Sequence, residues 1–576
     1  MKKVLSLLFV LALGLLVACG TKVEGVSINA STTQVKVGQT LTLNATVQPA
    51  KVEQGVTWSS SKSSVATVSA DGVVKGIKAG KATITATSIA DPTISQKITI
   101  TITKEATGDD IDLGGYEVVI AYSPNSLYEM DPRLEYQGSS APSADREYRK
   151  KAFEQVEDDF NCTITIKGYP VDTDSARWDY INQQATNGTT EFDIYWVPTK
   201  YLSNMAAGFI DMEDFYQEVA PGTLSTSDYF ARVVKEQLKG WSYSDNSITS
   251  DDPVIGVNIN LLREIGMEDQ EPAKLYLEDK WSFSEFKQWV LDVQSALDSK
   301  YGQGEDKHYV ITGMLNDYVV NMSRTSGVAI CDPLTGTINL LDPIVAKAAN
   351  LLRELQEQGC VDPANQPDAK SDVWNSGRGV LCYGTSYWVG YKDRWQATLW
   401  GEGDATQYAY SPFPYNDGLS NTTNRFATYT QDTFVMPLAI TKKIEDSGID
   451  SEDLTAKNIF KVWYSVYKYT KDLIQKDIEA GIYDEEAATL KNAQNKWHSD
   501  YSVEAWVSIQ KRLKQDPSVA IFDPINELDN HWSSDYAEAV AGFIAPSLGY
   551  TTATDFAAAV TPFIQDLQQK FTTKYK

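Results

Sequence analysis

The fold of this chain is decided by FDIYWVP (192–198) and by two strand-like stretches before it, EVVIAY (117–122) and TITIKG (163–168). Apolar residues recur at every fourth position over residues 148–160, and SARWDYINQQAT (175–186) has a helical composition. The order strand, helix, strand, helix, strand predicts a parallel, doubly wound α/β sheet.

A sheet of this kind also predicts where a ligand binds, because ligands of doubly wound sheets lie beyond the carboxyl ends of the strands. Asn125 and Tyr128 follow the first strand, and Trp196 lies at the end of the third. We expect these three side chains to face a ligand. The alternatives are a solvated turn for Asn125 and packing within the domain for Trp196.

Helix boundaries are well marked further along the chain. Ser282 and Glu285 have the spacing of a capping box, and the helix that opens at Asp342 and Pro343 is closed by Gly359. Residues 440–520 are strongly helical. The apolar faces of these helices predict packing, to which we assign four tryptophans: Trp289, Trp463, Trp497 and Trp506.

The composition divides the chain near residue 110. The 576 residues are too many for one compact domain, and of the aromatic residues only Phe9 and Trp58 precede residue 116. Residues 1–107 carry a net charge of +6 in a chain of net charge −26, so the remainder carries −32. We therefore expect a linker at 105–115 and a large domain at 116–576. Its acidic surface repels phosphate, which argues against a nucleic-acid partner.

Residues 1–19 predict a lipoprotein signal peptide. Two lysines precede an apolar run that is too short to span a membrane, and the run ends in Leu16-Val17-Ala18-Cys19. This ending resembles the bacterial lipobox, with an ordinary signal peptide as the alternative. The resemblance implies lipidation of Cys19 and anchoring at the extracellular face of the cell membrane, on a surface of the Gram-positive type.

Residues 23–104 predict a small β-sandwich. Apolar residues alternate with polar ones, for example from Val35 through Val37 to Val47, and Gly or Pro interrupts the runs about every ten residues. VTWSS, VATV, GVVKG and GKATITA, within 56–87, follow one another as in the bacterial immunoglobulin-like domain, group 2, which this segment resembles. The resemblance implies a spacer or, alternatively, a module that binds glycans or host molecules directly.

The large domain resembles an extracellular solute-binding protein of the carbohydrate-uptake ABC transporter class. The resemblance rests on segments that occur in the family's order: FDIYWVP, GFIDMEDF (208–215), VIGVNINLLREIGM (254–267), EDKWSFSEFKQWV (278–290), NSGRGVLCYGTSYWVG (375–390) and SPFPYNDG (411–418). One departure is NIN, which stands where the family usually has Tyr-Asn-Lys. The resemblance implies a type II periplasmic-binding-protein-like fold with two discontinuous lobes, joined by a hinge, that close over a ligand.

The same resemblance implies further ligand contacts. The family places cleft residues in the loop before the crossover, around the aromatic turn after a strand and near the return through the hinge. With the three residues above, the expected contacts are Asn125, Tyr128, Trp196, Trp241, Tyr243, Asp245, Tyr387, Trp388, Gln431 and Asp432. Packing is the alternative for the aromatic residues, and a solvated turn is the alternative for the polar ones.

Enzymatic motifs are missing from the sequence. It contains no HExxH, no GxSxG and no Walker A motif, and its only histidines, His308, His498 and His531, are far apart. Among the remaining cysteines, Cys162, Cys331, Cys360 and Cys382, the choice between buried thiols and disulfides stays open. We expect no enzyme activity, metal or cofactor.

The sequence as a whole predicts a monomeric, lipid-anchored subunit. It captures a carbohydrate, which we expect to be an oligosaccharide, and delivers it to an ABC permease in the membrane. The alternative is a surface adhesin or glycan sensor that uses the same fold without a transporter.

Overall fold

The chain forms two compact units, Met1–Ile111 and Asp112–Lys576. The computed structural model describes residues 22–30, 32–78, 80–103, 111–138, 142–224, 226–242, 253–367, 370–385, 408–427, 432–497, 499–528 and 534–576. Six of the expected lipidation and ligand-contact residues lie outside these ranges: Cys19, Tyr243, Asp245, Tyr387, Trp388 and Gln431.

The first unit is a β-sandwich. Its strands are β1 Gly25–Asn29, β2 Gln34–Lys36, β3 Thr40–Thr42, β4 Asn44–Gln48, β5 Val56–Ser60, β6 Ala66–Val68, β7 Val73–Gly76, β8 Gly80–Ser88 and β9 Ser95–Thr103. They form one sheet in the order β2-β9-β8-β5, a second in the order β3-β7-β6, and the pair β1-β4. The alternating apolar residues Leu43, Ile84 and Ile100 are buried between the sheets, as the period-two pattern predicts.

One residue of that pattern is not part of the core. Val37 was expected to point inward with Val35, but it is exposed. Strand β2 ends at Lys36, and Gly38 follows with a φ of +79°, so the alternation stops before Val37.

The second unit combines strands and helices. Its strands are β10 Tyr116–Tyr122, β11 Cys162–Gly168, β12 Ile194–Pro198, β13 Val233–Val234, β14 Gln237–Leu238, β15 Pro253–Asn258, β16 Tyr309–Thr312, β17 Gly379–Thr385, β18 Tyr408–Ser411, β19 Phe426–Ala427, β20 Asp432–Val435 and β21 Ala520–Ile521.

The helices of the second unit are α1 Leu127–Met130, α2 Arg146–Asp159, α3 Asp174–Asn187, α4 Leu202–Met205, α5 Glu213–Val219, α6 Thr226–Ala231, α7 Ile259–Glu264, α8 Pro272–Leu277, α9 Phe283–Tyr301, α10 Leu315–Thr325, α11 Pro343–Glu357, α12 Asp372–Asn375, α13 Ile440–Asp446, α14 Ala456–Glu479, α15 Glu485–Lys496, α16 Asp500–Gln515, α17 Ile525–Leu528, α18 Asp535–Ile544 and α19 Phe556–Tyr575. The predicted capping box opens α9, and Pro343 stands in the first turn of α11.

Two sheets with separate apolar cores divide this unit into two lobes. The sheet of the first lobe has the order β11-β10-β12-β20, and that of the second lobe has the order β16-β17-β15-β18. Phe192 and Tyr195 belong to the core of the first lobe, whereas Trp281 and Leu352 belong to that of the second. This arrangement confirms the two-lobed α/β fold.

Neither sheet is entirely parallel, although the sequence pattern predicted a parallel one. β10, β11 and β12 run parallel, but β20 is antiparallel to β12, and β15 is antiparallel to β17. The reason lies in the chain path. β15 and β20 each enter from the other lobe at the carboxyl edge of their sheet, so each must run against its parallel neighbours.

The chain passes between the lobes three times. The first passage leads from Ser242 to β15 and the second from β19 to β20. The third follows α14, which packs on α2 in the first lobe, and leads to α15 and α16, which pack in the second. Each lobe is therefore built from segments that are distant in sequence.

Side chains assigned to packing are indeed in the cores. Trp463 and Trp497 are at most 2% exposed, and Trp289 and Trp506 are also buried. The four cysteines of the second unit are buried thiols. Burial raises the pKa of Cys360 to about 11, so this thiol is not a reactive thiolate at neutral pH.

Candidate ligand-binding site

The site lies where the carboxyl edges of the two sheets are connected. In the first lobe this edge follows Tyr122, Gly168 and Pro198, and β20 enters at the same edge because Asp432 pairs with Pro198. In the second lobe the edge follows Thr312 and Thr385, and Pro253 of β15 pairs with Thr385. Helix α17 of the second lobe lies against residues 199–201 of the first, so the two edges are close to each other.

The first lobe presents aromatic rings at its edge. Tyr122 and Trp196 end neighbouring parallel strands, and their ring centroids are 5.0 Å apart. Trp196 is half-buried, and its indole Nε1 is buried without a hydrogen-bond partner among the described residues. A half-buried indole whose N–H has no acceptor offers both an apolar face and a hydrogen-bond donor.

Arg177 holds this aromatic group in place. Thr173 caps α3, so that Arg177 in the first turn points back over the edge of the sheet. Its guanidinium lies 5.6 Å from the Tyr169 ring and 5.8 Å from the Trp196 ring, and Nη2 donates to the carbonyl of Asp172 at 2.9 Å. Stacked between two rings, the guanidinium stiffens the loops rather than extending into solvent.

Tyr169 links two of the strand ends. Its hydroxyl donates to the carbonyl oxygen of Trp196 at 2.5 Å, which fixes the backbone that carries the indole. Burial raises the pKa of Tyr169 well above its usual value. The hydroxyl therefore remains a neutral donor at all physiological pH values.

The second lobe presents buried polar side chains at its edge. Helix α10 begins three residues after β16, and all of its residues are buried. Both amide atoms of Asn316 and the hydroxyl of Tyr318 are buried and reach no partner with hydrogen-bond geometry in the described structure, although the Tyr318 hydroxyl faces the backbone of Tyr383. The hydroxyl of Tyr536 faces Asn316 but does not reach hydrogen-bond geometry. Polar atoms buried in this way cost free energy unless a ligand or water satisfies them.

A buried ion pair holds the end of α10, the helix that carries Asn316 and Tyr318. Arg324, at the end of α10, meets Asp523 at 3.3 Å, and both side chains are at most 2% exposed. Asp523 also accepts from the backbone N–H groups of Ile330, Cys331 and Ile525. These contacts neutralise the cation, so Arg324 positions α10 and is not available to a ligand.

The residues that we expected to contact the ligand differ in their positions in the structure. Trp196 lies at the edge as predicted. Asn125 is exposed, and Tyr128 lies in α1, where its ring packs edge-on against Tyr136 at 5.3 Å. Asp432 begins β20 at the edge. The contacts themselves remain predictions.

Trp241 is placed in the interior. It is 1% exposed, its Nε1 donates to Thr223 at 2.9 Å, and its ring packs edge-on against Phe460 and Tyr467. Its backbone pairs with Phe434 of β20. We therefore assign Trp241 to the packing that supports the first passage between the lobes, and we do not include it among the proposed ligand contacts.

The polar group of the second lobe was not anticipated from the sequence. A signal was available, because YVIT (309–312) is a short strand followed by Gly313 and then by Asn316 and Asp317. The strand-end rule that selected Trp196 in the first lobe selects these residues when it is applied to the second.

No group of three or more potential metal ligands occurs among the described residues, and none of the described helices is long and apolar enough to cross a membrane.

The fold and the site define a two-lobed α/β protein with a small β-sandwich at its amino-terminal side. Residues 22–108 match the family model of the bacterial Ig-like domain (group 2), which confirms the interpretation of that segment. A curated relative, 3-O-alpha-D-galactosyl-alpha-L-arabinofuranosidase of Bifidobacterium longum subsp. longum, is 46% identical over 97 residues. These residues are 16% of this chain and 8% of the relative. The chain thus spans less than a tenth of that relative's length.

Solved structures with a similar overall course were also found. An ABC substrate-binding protein from Listeria monocytogenes in complex with cycloalternan is 11% identical, with a TM-score of 0.45 over 80% of this chain and 99% of that one. The sugar-binding protein MalE from Xanthomonas citri is 13% identical, with a TM-score of 0.44 over 79% and 97%. The strand order and the three passages, rather than these low overall similarities, define the fold of the chain.

Proposed function

We propose that the second unit is a binding protein that captures a carbohydrate between its lobes. The proposal rests on one observation: the carboxyl edges of the two sheets lie close together and differ in chemistry, one being aromatic and the other polar. Trp196, which packs against the buried Tyr122, offers an aromatic face on one side. On the other side, Asn316, Tyr318 and Tyr536 have buried polar atoms that reach no hydrogen-bond geometry within the described residues. A sugar matches both, because its C–H faces stack on aromatic rings while its hydroxyls need donors and acceptors.

The polar atoms favour a neutral ligand over an ionic one. Amide and phenol groups each donate and accept hydrogen bonds, as hydroxyl groups do. Arg324, the cation of the same helix, is already paired with Asp523. Closure of the lobes over the ligand would supply the missing hydrogen bonds, and this differential contact is what can drive closure.

The test is thermal unfolding of the full chain with a panel of mono- and oligosaccharides, with amino acids and polyamines as controls. A ligand at 100 times its dissociation constant stabilises by about 2.7 kcal/mol. We expect one class of glycan to raise the unfolding temperature, Trp196→Ala to abolish this rise, and Tyr550→Ala, at an exposed tyrosine, to preserve it. A response to amino acids or polyamines alone would contradict the choice of carbohydrate.

The proposal extends to the place of the protein in the cell. We propose that Cys19 is lipidated, that the protein is held at the extracellular face of the membrane, and that an ABC permease receives the ligand. Support comes from the lipobox-like Leu16–Cys19 segment. Palmitate labelling that is lost in Cys19→Ala tests the anchor. Uptake of labelled sugar that is lost on deletion of the protein tests transport, and unchanged uptake would favour a glycan sensor.

We further propose that the chain is not an enzyme. The glycosidase relatives match only within the Ig-like region, so their active sites have no counterpart in this match. The glycan that raises the unfolding temperature should be recovered intact after prolonged incubation with the protein. Its hydrolysis, absent with Trp196→Ala, would contradict this proposal.

A further inference from the structure

Three neighbouring strands of one sheet, β5, β8 and β9, carry only hydroxyl and ammonium side chains on their outer face. In β8, Ala82, Ile84 and Ala86 are buried, so the alternate residues from Lys81 to Thr87 point outward. In β9 the outward residues are the alternate ones from Ser95 to Thr101, and Thr57 and Ser59 extend the face on β5. We call these ten positions the hydroxyl-lysine face. They are six threonines, two serines and two lysines, Lys81 and Lys97.

The strand register makes this face continuous. Lys97 lies opposite Thr85, and Lys81 lies opposite Thr101, so the two lysines stand on neighbouring strands four residues apart. With a rise of about 3.4 Å per residue and about 4.8 Å between strands, the ammonium groups are attached roughly 14 Å apart on a flat array of hydroxyls. Such spacing suits an extended chain-like ligand better than a compact one.

Basic and acidic residues occupy different parts of the first unit. Residues 22–103 contain eight lysines, four acidic residues and no arginine. The acidic residues, Glu24, Glu53, Asp71 and Asp91, all lie in turns or before β1, outside the strands. Threonine is favoured on exposed strands for its β-propensity, but that preference does not explain why acidic side chains are missing from the face while the chain as a whole carries −26.

We propose that the hydroxyl-lysine face, which lies in the positively charged first unit, binds a linear poly(polyol phosphate) polymer. Lysine ammonium groups bind phosphate as point charges, and this unit contains no arginine that would bind an anion in the bidentate manner. Serine and threonine hydroxyls donate to phosphoryl oxygens between the lysines. The face would thereby bind the protein to a polyanionic layer, independently of the ligand of the second unit.

The experiment measures binding of the full chain to immobilised lipoteichoic acid of the poly(glycerol phosphate) type over a range of salt concentrations. We expect affinity to fall with salt, and Lys81→Thr/Lys97→Thr to weaken binding at low salt and to reduce the magnitude of the slope of log K against log salt by about 2. Threonine preserves the strand preference of the face. The matched control Lys51→Thr/Lys62→Thr removes the same charge from turns of the same unit and should retain the slope.

Three results would overturn the proposal. One is no binding at low salt. Another is an equal loss in both double variants, which would mean that only net charge matters. The third is equal binding to a neutral glucan that Lys81→Thr/Lys97→Thr does not weaken. Thermal unfolding of each variant, with an unchanged transition for the first unit, separates loss of binding from loss of folding.

Discussion

The ammonium of Lys443 lies 2.7 Å from the carboxylate of Asp193, although 250 residues separate them in sequence. Asp193 is fully buried and also accepts from the hydroxyl of Tyr116 and the backbone N–H of Val119, each at 2.7 Å. This pair joins α13, which follows the second passage between the lobes, to the entrance of β12. Burial raises the pKa of Asp193, and the neighbouring cation opposes that rise.

Lys443→Met should therefore destabilise the second unit. Removing one partner of a buried pair leaves an uncompensated charge and costs about 3 kcal/mol or more. Because the pKa of Asp193 is then raised further in the folded state, its protonated form is favoured there, and the deficit should shrink as the pH is lowered toward 4. Urea unfolding at pH 7 and pH 4.5 measures this.

The control for Lys443→Met is the same substitution at the neighbouring residue, Lys442. Lys442→Met removes a cation whose pair with Asp446 is more than half exposed on both sides, so it should cost no more than about 0.5 kcal/mol. Equal effects of the two substitutions, or a deficit at Lys443 that grows on acidification, would contradict the role given to Asp193.

Asn316→Leu should separate stability from ligand binding. Leucine has the branching and heavy-atom number of asparagine and leaves no buried amide without a partner, but its methyl groups are larger. The removal of the buried amide and the tighter packing oppose each other, so the free energy of unfolding should change by no more than about 1 kcal/mol. The same variant should lose the ligand-induced rise in unfolding temperature. A variant that is strongly destabilised, or one that still responds fully to ligand, would show that Asn316 is satisfied within the protein.

Asp417→Asn should remove a dependence of stability on acid pH. Burial acts to raise the pKa of Asp417, but hydrogen bonds from Lys347 and from the N–H of Ser284 outweigh it and lower the pKa to about 2. A lowered pKa contributes stability above the unfolded value near 3.9, and this stability is lost as the pH falls toward 2. Both partners are more than a third exposed, so the screened contribution is about 1 kcal/mol.

The measurement is the difference in unfolding free energy between wild type and Asp417→Asn from pH 6 down to pH 3. It should be largest at pH 6 and narrow on acidification. Asp446→Asn, at an exposed carboxylate, provides the reference. A constant difference would mean that hydrogen bonding by the side chain, and not its charge, stabilises the start of α9.

Gly336→Ala should lower the free energy of unfolding by more than the positive φ of Gly336 alone would predict. Gly336 has a φ of +76°, and an added Cβ would lie 2.3 Å from the Phe571 ring of α19. Gly377 has nearly the same φ, +75°, but an added Cβ there meets nothing within 4 Å. Gly377→Ala should cost about 1 kcal/mol, and Gly336→Ala should cost at least twice that, as measured by urea unfolding. Equal costs would rule out the clash with α19.

The strand-end rule was applied to the first lobe because its strands are the easier ones to recognise in the sequence. EVVIAY, TITIKG and FDIYWVP are long enough to show their order, so the edge at Trp196 was predicted. The second lobe contains a four-residue strand, YVIT, and the helix LNDYVVNMSRT, whose residues are all buried. Asp317, Asn321 and Arg324 have the spacing that is typical of a solvent-facing side of a helix, so the sequence did not show that they lie inside. Periodicity reports one-sided burial and does not reveal polar groups inside a core.

Trp241 also shows what a local sequence pattern cannot predict. An aromatic residue before a crossover was expected to face the ligand, because sequence position cannot distinguish the lining of a cleft from the packing behind it. The difference depends on α14, more than 200 residues later, whose Phe460, Tyr464 and Tyr467 surround the indole. Contacts of that separation are not visible in a local pattern.

The three passages between the lobes have a consequence for how this chain acquires its structure. The first lobe needs β20 and α14, and the second needs α19, whose Phe571 and Tyr575 lie in its core. The first lobe can therefore complete its core only after α14 has emerged, and the second only after α19, in contrast to a protein assembled from successive domains. The β-sandwich, complete by residue 103, is the part that can fold first, and the rest of the chain stays open to chaperones until its last helix is available.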